Sequence, residues 1–201
     1  LALQAALHAL QDVRRLAWDL ILFTNSEFDF FELPVHYTTG SSILPNKANP
    51  DAVELLRGRA ATVEGALVEI QGVLSLPSGY QRDLQLTKAP LIRGMTAALQ
   101  SLAIVPALIG GLRLKPAAMS AAISLDMFAT DAAVGQAAKG VPFREAYLEA
   151  KKSLGEGAET DAEASLAQRL SPGACGDLML DRIRSRLDRQ MQRVGGKKEA
   201  G

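Results

Sequence analysis

The residues best suited to chemistry lie in one short polar segment, TTGSSILPNKANPD, which spans positions 38–51. Ser41 and Ser42 follow a glycine, so their hydroxyl groups sit on a backbone that can move. Lys47 supplies an ammonium group and Asn49 a carboxamide, and the start of a predicted helix beyond them supplies unpaired backbone N–H groups. Together these groups predict an anion-binding site with a hydroxyl group beside it.

A serine hydroxyl is a poor base unless its alkoxide is stabilised. A nearby ammonium group and oriented N–H dipoles provide that stabilisation, so the segment suits a serine base next to a bound anion. The structural alternative is a polar turn between two helices, followed by a capped helix. The spacing of the residues leaves both interpretations open.

Long helices are expected on both sides of this segment. In the first, apolar residues recur at three and four positions from Leu3 to Leu20, which is the period of one helical face. Asn49 is predicted to cap a second helix, with Pro50 at its first position and Asp51 near the positive end of its dipole. The second and third helices are predicted over residues 50–76 and 88–112.

A glycine stripe interrupts the second predicted helix. Gly58, Gly65 and Gly72 recur every seven residues and therefore share one face. Each glycine in a helix interior costs about 1 kcal/mol relative to alanine. The stripe predicts that another element approaches this face closely.

Shorter helical segments follow Lys115 and predict a second, smaller domain. The chain is therefore predicted to be all-α, with part of a helical bundle over residues 1–114, a small helical domain over 115–194 and a disordered tail over 195–201. The short helices are expected at 116–124, 126–139, 142–154, 160–170 and 176–194.

Composition restricts the possible partners. The 201 residues include 22 basic and 22 acidic side chains, so net charge gives no reason to expect nucleic acid or an anionic membrane. The longest nearly apolar run, residues 102–112, is too short to cross a bilayer. No cluster of His, Cys and Glu suggests a metal site, and the single cysteine, Cys175, is expected to be buried. A soluble, cytoplasmic protein is predicted.

Two motifs resemble known enzymes. GSSILPNKANP, residues 40–50, resembles the signature of the fumarase/aspartase superfamily, with Leu44 at a position where methionine is usual. LPSGYQRDLQLTKAPL, residues 76–91, resembles the argininosuccinate lyase branch, and KGVPFREAY, residues 139–147, is similar to its C-terminal domain. The second motif departs from the family pattern at Ser78, Gly79, Gln81, Leu86 and Thr87.

The resemblance implies a role for each matching residue. Ser41 would be the general base on a mobile loop, with Ser42 beside it in the substrate site. Lys47 and Asn49 would hold the carboxylates that become fumarate and stabilise the doubly charged aci-carboxylate intermediate. Substrate-binding residues of the second motif would be Tyr80, Gln85 and Lys88, which meet the succinyl and arginyl ends of argininosuccinate.

The resemblance also implies an activity and an assembly. Argininosuccinate would be cleaved to arginine and fumarate by anti elimination without a cofactor, as a step of arginine biosynthesis. Family members are homotetramers whose active sites combine residues from three subunits. The chain begins at Leu1 inside a helical pattern and lacks the family's threonine-histidine motif, so it corresponds to the C-terminal half and is expected to be inactive alone. Two alternatives stay open: a related lyase for adenylosuccinate, aspartate or fumarate, and a non-catalytic, crystallin-like protein.

Overall fold

The computed structural model describes residues 1–40, 48–74, 79–153 and 162–195. These ranges are mostly helical, which confirms the predicted all-α class. The α-helices of the described residues are α1 (Ala2–Phe23), α2 (Asp51–Leu74), α3 (Lys88–Gly110), α4 (Pro116–Ala121), α5 (Ala129–Ala138), α6 (Phe143–Lys152), α7 (Ala162–Ala167) and α8 (Leu180–Gly195).

Short strands, which no alternating pattern predicted, join parts of the first half of the chain. The described residues contain β1 (Phe31–Glu32), β2 (Thr39–Gly40), β3 (Ala48–Asn49) and β4 (Arg113–Leu114). β1 pairs with β4, and β2 pairs with β3, both antiparallel. Strands of two residues are too short to show a period in sequence.

The chain divides into two compact units, Leu1–Ala122 and Ile123–Gly201. In the first unit, α1, α2 and α3 pack against one another around an apolar core. The predicted stripe of α1 is confirmed, because its buried residues are Leu3, Leu7, Leu10, Val13, Ala17 and Leu20. Burying one leucine side chain contributes about 1.5–3 kcal/mol, so this stripe holds α1 to its neighbours.

The helices of this unit approach closely at Gly94 of α3. A β-carbon built there would lie 2.8 Å from Cδ1 of Leu3 and 3.1 Å from Cβ of Ala66, on α1 and α2 respectively. By contrast, no heavy atom lies within 4 Å of a β-carbon built at Gly58 or Gly65 of α2. At these two glycines, the described residues of this chain therefore do not make the close approach that the stripe predicted.

Gly94→Val is expected to lower the free energy of unfolding by about 1–3 kcal/mol, because the added methyl groups overfill the contact with Leu3 and Ala66. Gly110→Val is the matched control, since Gly110 lies in the same helix with open space around its β-carbon position. Urea unfolding measures the free energy of unfolding of both variants and of the wild type. The full-length protein is used, that is, the natural polypeptide that contains these residues. Equal stability of the Gly94→Val variant and the wild type would contradict the packing assigned to Gly94.

The apolar length of the α3 region is greater than the sequence suggested. Residues Arg82–Gly110 form 29 helical residues that are long and apolar enough, by length and composition only, to cross a membrane. The apolar run at residues 102–112 is only the last part of this region, because the helix begins well before residue 102. The central helix of a bundle has the same properties, and α3 packs against both α1 and α2.

The second unit has a small core of its own. Ala133 of α5 packs with Ala146 and Ala150 of α6. Ser165 of α7 donates a hydrogen bond to Asp131 of α5, which ties α7 to this pair. Cys175 is exposed, so its predicted burial is wrong. It lies in a turn segment between α7 and α8.

Candidate active site

The first group of candidate residues surrounds the pairing of β2 with β3. Thr39 is opposite Asn49, and Gly40 is opposite Ala48. This pairing brings together the two chain ends that flank residues 41–47. Three candidates, Ser41, Ser42 and Lys47, fall in that segment and lie outside the described residues.

Asn49 lies in β3, two residues before the start of α2. The carbonyl oxygen of Pro50 accepts hydrogen bonds from the backbone N–H groups of Val53 and Glu54, each at 2.9 Å, so the first helical turn closes on Pro50. Asn49 is half-buried at this junction. It is therefore held between the short ladder and the N-terminus of α2.

A contact that the sequence did not predict joins the ladder to α2. The Thr39 hydroxyl donates a hydrogen bond to Oδ2 of Asp51, the first residue of the helix. Asp51 was expected only to face the helix dipole. The twelve-residue separation of the two side chains gave no sequence signal, because neither strand was foreseen.

The second group of candidates lies before and at the start of α3. Tyr80 follows Gly79, whose φ of +73° favours glycine and accounts for the glycine at this departure from the family pattern. Residues Arg82–Thr87 form a 3₁₀ helix that leads directly into α3. Nε2 of Gln85 donates a hydrogen bond to the Tyr80 hydroxyl oxygen, so the structure brings these two candidates together.

Lys88 begins α3 and is exposed. Among the described residues, no carboxylate forms an ion pair with it. Tyr80 is 72% exposed, so the hydroxyl and amide of the pair and the Lys88 ammonium are all accessible to a ligand. The group thus offers a cation and neutral hydrogen-bonding atoms on one short stretch of chain.

The two groups lie at opposite ends of α2. Arg93 near the start of α3 forms an ion pair with Glu69 near the end of α2, whereas Gln100 and Ile104 lie beside Ala52 near its start, so the helices are antiparallel. The 24 residues of α2 extend roughly 36 Å at about 1.5 Å per residue. One amino-acid-sized molecule cannot touch Asn49 and Lys88 of the same chain.

Comparison with known proteins gives close relatives. Residues 2–65 match a family model described as lyase. An argininosuccinate lyase of Xanthomonas campestris pv. campestris (strain B100) is 52% identical over 188 residues, which are 92% of this chain and 43% of the relative. An argininosuccinate lyase of Xylella fastidiosa (strain Temecula1) is 50% identical over 186 residues, 92% of this chain and 42% of the relative. Over nearly all of its length, this chain is therefore similar to argininosuccinate lyases.

Solved structures share the fold at lower identity. An EDDS lyase variant with bound fumarate superposes with a TM-score of 0.70 at 19% identity, over 98% of this chain and 48% of that protein. A fumarate lyase/delta crystallin of Brucella melitensis gives a TM-score of 0.58 at 20% identity, over 91% of this chain and 39% of that one. This chain spans less than half the length of the curated relatives that it matches.

Proposed function

We propose that the full-length protein is an argininosuccinate lyase that forms arginine and fumarate by anti elimination, without a cofactor, in cytoplasmic arginine biosynthesis. The 52% identity with a Xanthomonas argininosuccinate lyase over 92% of this chain is the observation that supports it most strongly. The second motif, residues 76–91, supports this substrate over those of other superfamily lyases.

In the proposed reaction Ser41 is the base. It removes a proton from the carbon next to a substrate carboxylate, and the electron pair moves into that carboxylate to give the aci-carboxylate. Collapse of this intermediate forms the carbon–carbon double bond of fumarate and breaks the carbon–nitrogen bond, so that arginine leaves. Lys47 and Asn49 stabilise the added charge, because preorganised cationic and N–H donors act most strongly on charge that develops in the transition state.

Binding of the substrate is assigned to Ser42 and to the group at the start of α3. The Lys88 ammonium binds a substrate carboxylate, and the hydrogen-bonded pair of Tyr80 and Gln85 contacts the part of argininosuccinate that fumarate lacks. The Gln85 to Tyr80 hydrogen bond supports this assignment, because it gives the two side chains a common position before substrate arrives.

We also propose a homotetramer in which one site combines residues of several subunits. The separation of Asn49 from Lys88 along α2 supports this assembly, since a second copy could bring the missing group to each site. The bundle helices also expose large apolar side chains, including Leu55 and Val68 of α2 and Leu99 of α3. The open space beside Gly58 and Gly65 of α2 would allow a second copy to approach closely.

Light scattering of the full-length protein tests the assembly. A particle of four chains is expected at micromolar concentration. A stable monomer under these conditions would contradict the proposed assembly. Asn49 and Lys88 could then not belong to one site, because a single chain holds them at opposite ends of α2.

Release of fumarate tests the activity. The full-length protein is expected to release fumarate, detected by its ultraviolet absorbance, from argininosuccinate but not from adenylosuccinate or aspartate. Release from one of those two compounds instead would keep the superfamily chemistry and change the substrate. No release from any of them, by a folded tetramer, would support the non-catalytic, crystallin-like alternative.

A further inference from the structure

We infer that Asp51 is a positioning residue for the reaction, because it fixes the β2–β3 ladder to the first turn of α2. The inference rests on the proposed function for its kinetic test only. Asp51 is not assigned a contact with substrate or with the reacting atoms.

The geometry that supports this role involves both sides of the ladder. Thr39 is opposite Asn49 in the ladder, and Asp51 follows Asn49 by two residues. The Thr39 hydroxyl bonds to the Asp51 carboxylate, so a side-chain contact closes the same junction that the backbone pairing forms. The junction is therefore connected twice, once through the ladder and once through this hydrogen bond.

Such a connection matters because a two-residue ladder is weak alone. An isolated two-stranded pair is at best marginally stable in water, so β2 and β3 need a further attachment to hold one register. Asp51 belongs to α2, whose Val53 and Leu56 are buried in the bundle core. The hydrogen bond thus attaches the ladder to a rigid element, and Ser41 follows Gly40 of that ladder directly in sequence.

The carboxylate also suits this position for an electrostatic reason. A negative charge in the first turn interacts favourably with the helix dipole, and a hydrogen bond to an ionised acceptor is stronger than one between neutral groups. Asparagine keeps an acceptor oxygen but loses the charge, so it should retain part of the connection. Alanine removes both.

The experiment compares Asp51→Ala, Asp51→Asn and Thr39→Val in the full-length protein. We expect Asp51→Ala and Thr39→Val each to lower kcat on argininosuccinate by about three- to tenfold, with KM changed less than about twofold, since a misplaced base affects the chemical step. Asp51→Asn should recover at least half of the lost kcat. The double variant Asp51→Ala/Thr39→Val should be no slower than either single variant, because both remove one shared contact.

Thr38→Val is the matched control. The Thr38 hydroxyl donates to the carbonyl oxygen of Val35 at 2.9 Å, so it is an adjacent threonine whose hydrogen bond does not join the ladder to α2. Its kcat should equal that of the wild type. A normal kcat for Asp51→Ala, or losses that multiply in the double variant, would overturn the inference while leaving the proposed function in place.

Amide hydrogen exchange gives a readout that does not require the proposed function. Exchange measured by mass spectrometry over residues 38–50 should be faster in Asp51→Ala and Thr39→Val than in the wild type and Thr38→Val. Unchanged exchange in both variants would overturn the inference whatever the enzyme's substrate. If the wild type does not act on argininosuccinate, the proposed function fails. The comparison of exchange rates then decides by itself whether Asp51 fixes the ladder to α2.

Discussion

Replacing Ser41 with alanine is expected to lower kcat on argininosuccinate by about 10²–10⁴-fold, which is the usual contribution of a general base. KM and substrate affinity should change little, because the lost interaction is proton removal in the transition state rather than a contact with bound substrate. The measurement is steady-state fumarate release by the full-length protein, monitored by absorbance.

Two further variants make this result specific to Ser41. Ser42→Ala, beside it, should affect KM more than kcat if Ser42 belongs to the substrate site. Ser120→Ala removes an exposed hydroxyl from α4 and should leave both constants unchanged. Near-normal turnover by Ser41→Ala would remove this serine as the base, and the proton would have to be taken by another group.

Replacing Lys88 with alanine is expected to weaken binding of argininosuccinate by roughly ten- to a hundredfold. The reason is that a charge-assisted hydrogen bond to a substrate carboxylate contributes about 1.5–3 kcal/mol. The measurement is calorimetric titration in a Ser41→Ala background, where substrate binds without turnover. Lys139→Ala, an exposed lysine at the end of α5, is the control and should bind normally.

The same titration, applied to variants of Tyr80 and Gln85, tests which part of the substrate these two side chains contact. Tyr80→Phe and Gln85→Ala should weaken binding of argininosuccinate more than binding of fumarate, because these side chains are proposed to contact the arginyl portion. Equal losses for both ligands would mean that the pair does not distinguish them. The assignment of substrate would then no longer draw support from this motif.

Much of the helical architecture is predictable because it depends on local patterns. The stripe of α1 was predicted residue by residue from Leu3 to Leu20, since a helical face repeats every three to four positions over about five turns. The start of α3 at Lys88 was also predicted. A preceding 3₁₀ helix was not, because its residues carry no pattern of their own.

Features that depend on tertiary contacts were missed. β2 and β3 are two residues each, and the Thr39 to Asp51 hydrogen bond depends on their pairing. Gly94 was not predicted as a site of close helix packing, because a lone glycine has no spacing to reveal it. The repeat of the α2 glycines predicted a close approach, yet the described residues of this chain leave open space at Gly58 and Gly65.

The candidate site shows a similar division. The second motif predicted Tyr80, Gln85 and Lys88 as substrate-binding candidates, and the structure places Gln85 in contact with Tyr80. The separation of Asn49 from Lys88 follows from the length of α2, which the second predicted helix, residues 50–76, already approximates. What the sequence did not supply is the antiparallel packing of α2 and α3, because that depends on tertiary contacts.

The length of α2 has an evolutionary consequence. If neighbouring sites in the assembly share residues from both ends of this helix, the length of α2 sets the distance between those sites. One inserted residue would move one end by about 1.5 Å and rotate it by about 100°, which would misalign both motifs without altering either. Along Asp51–Leu74, relatives should therefore tolerate exposed substitutions freely and insertions or deletions hardly at all.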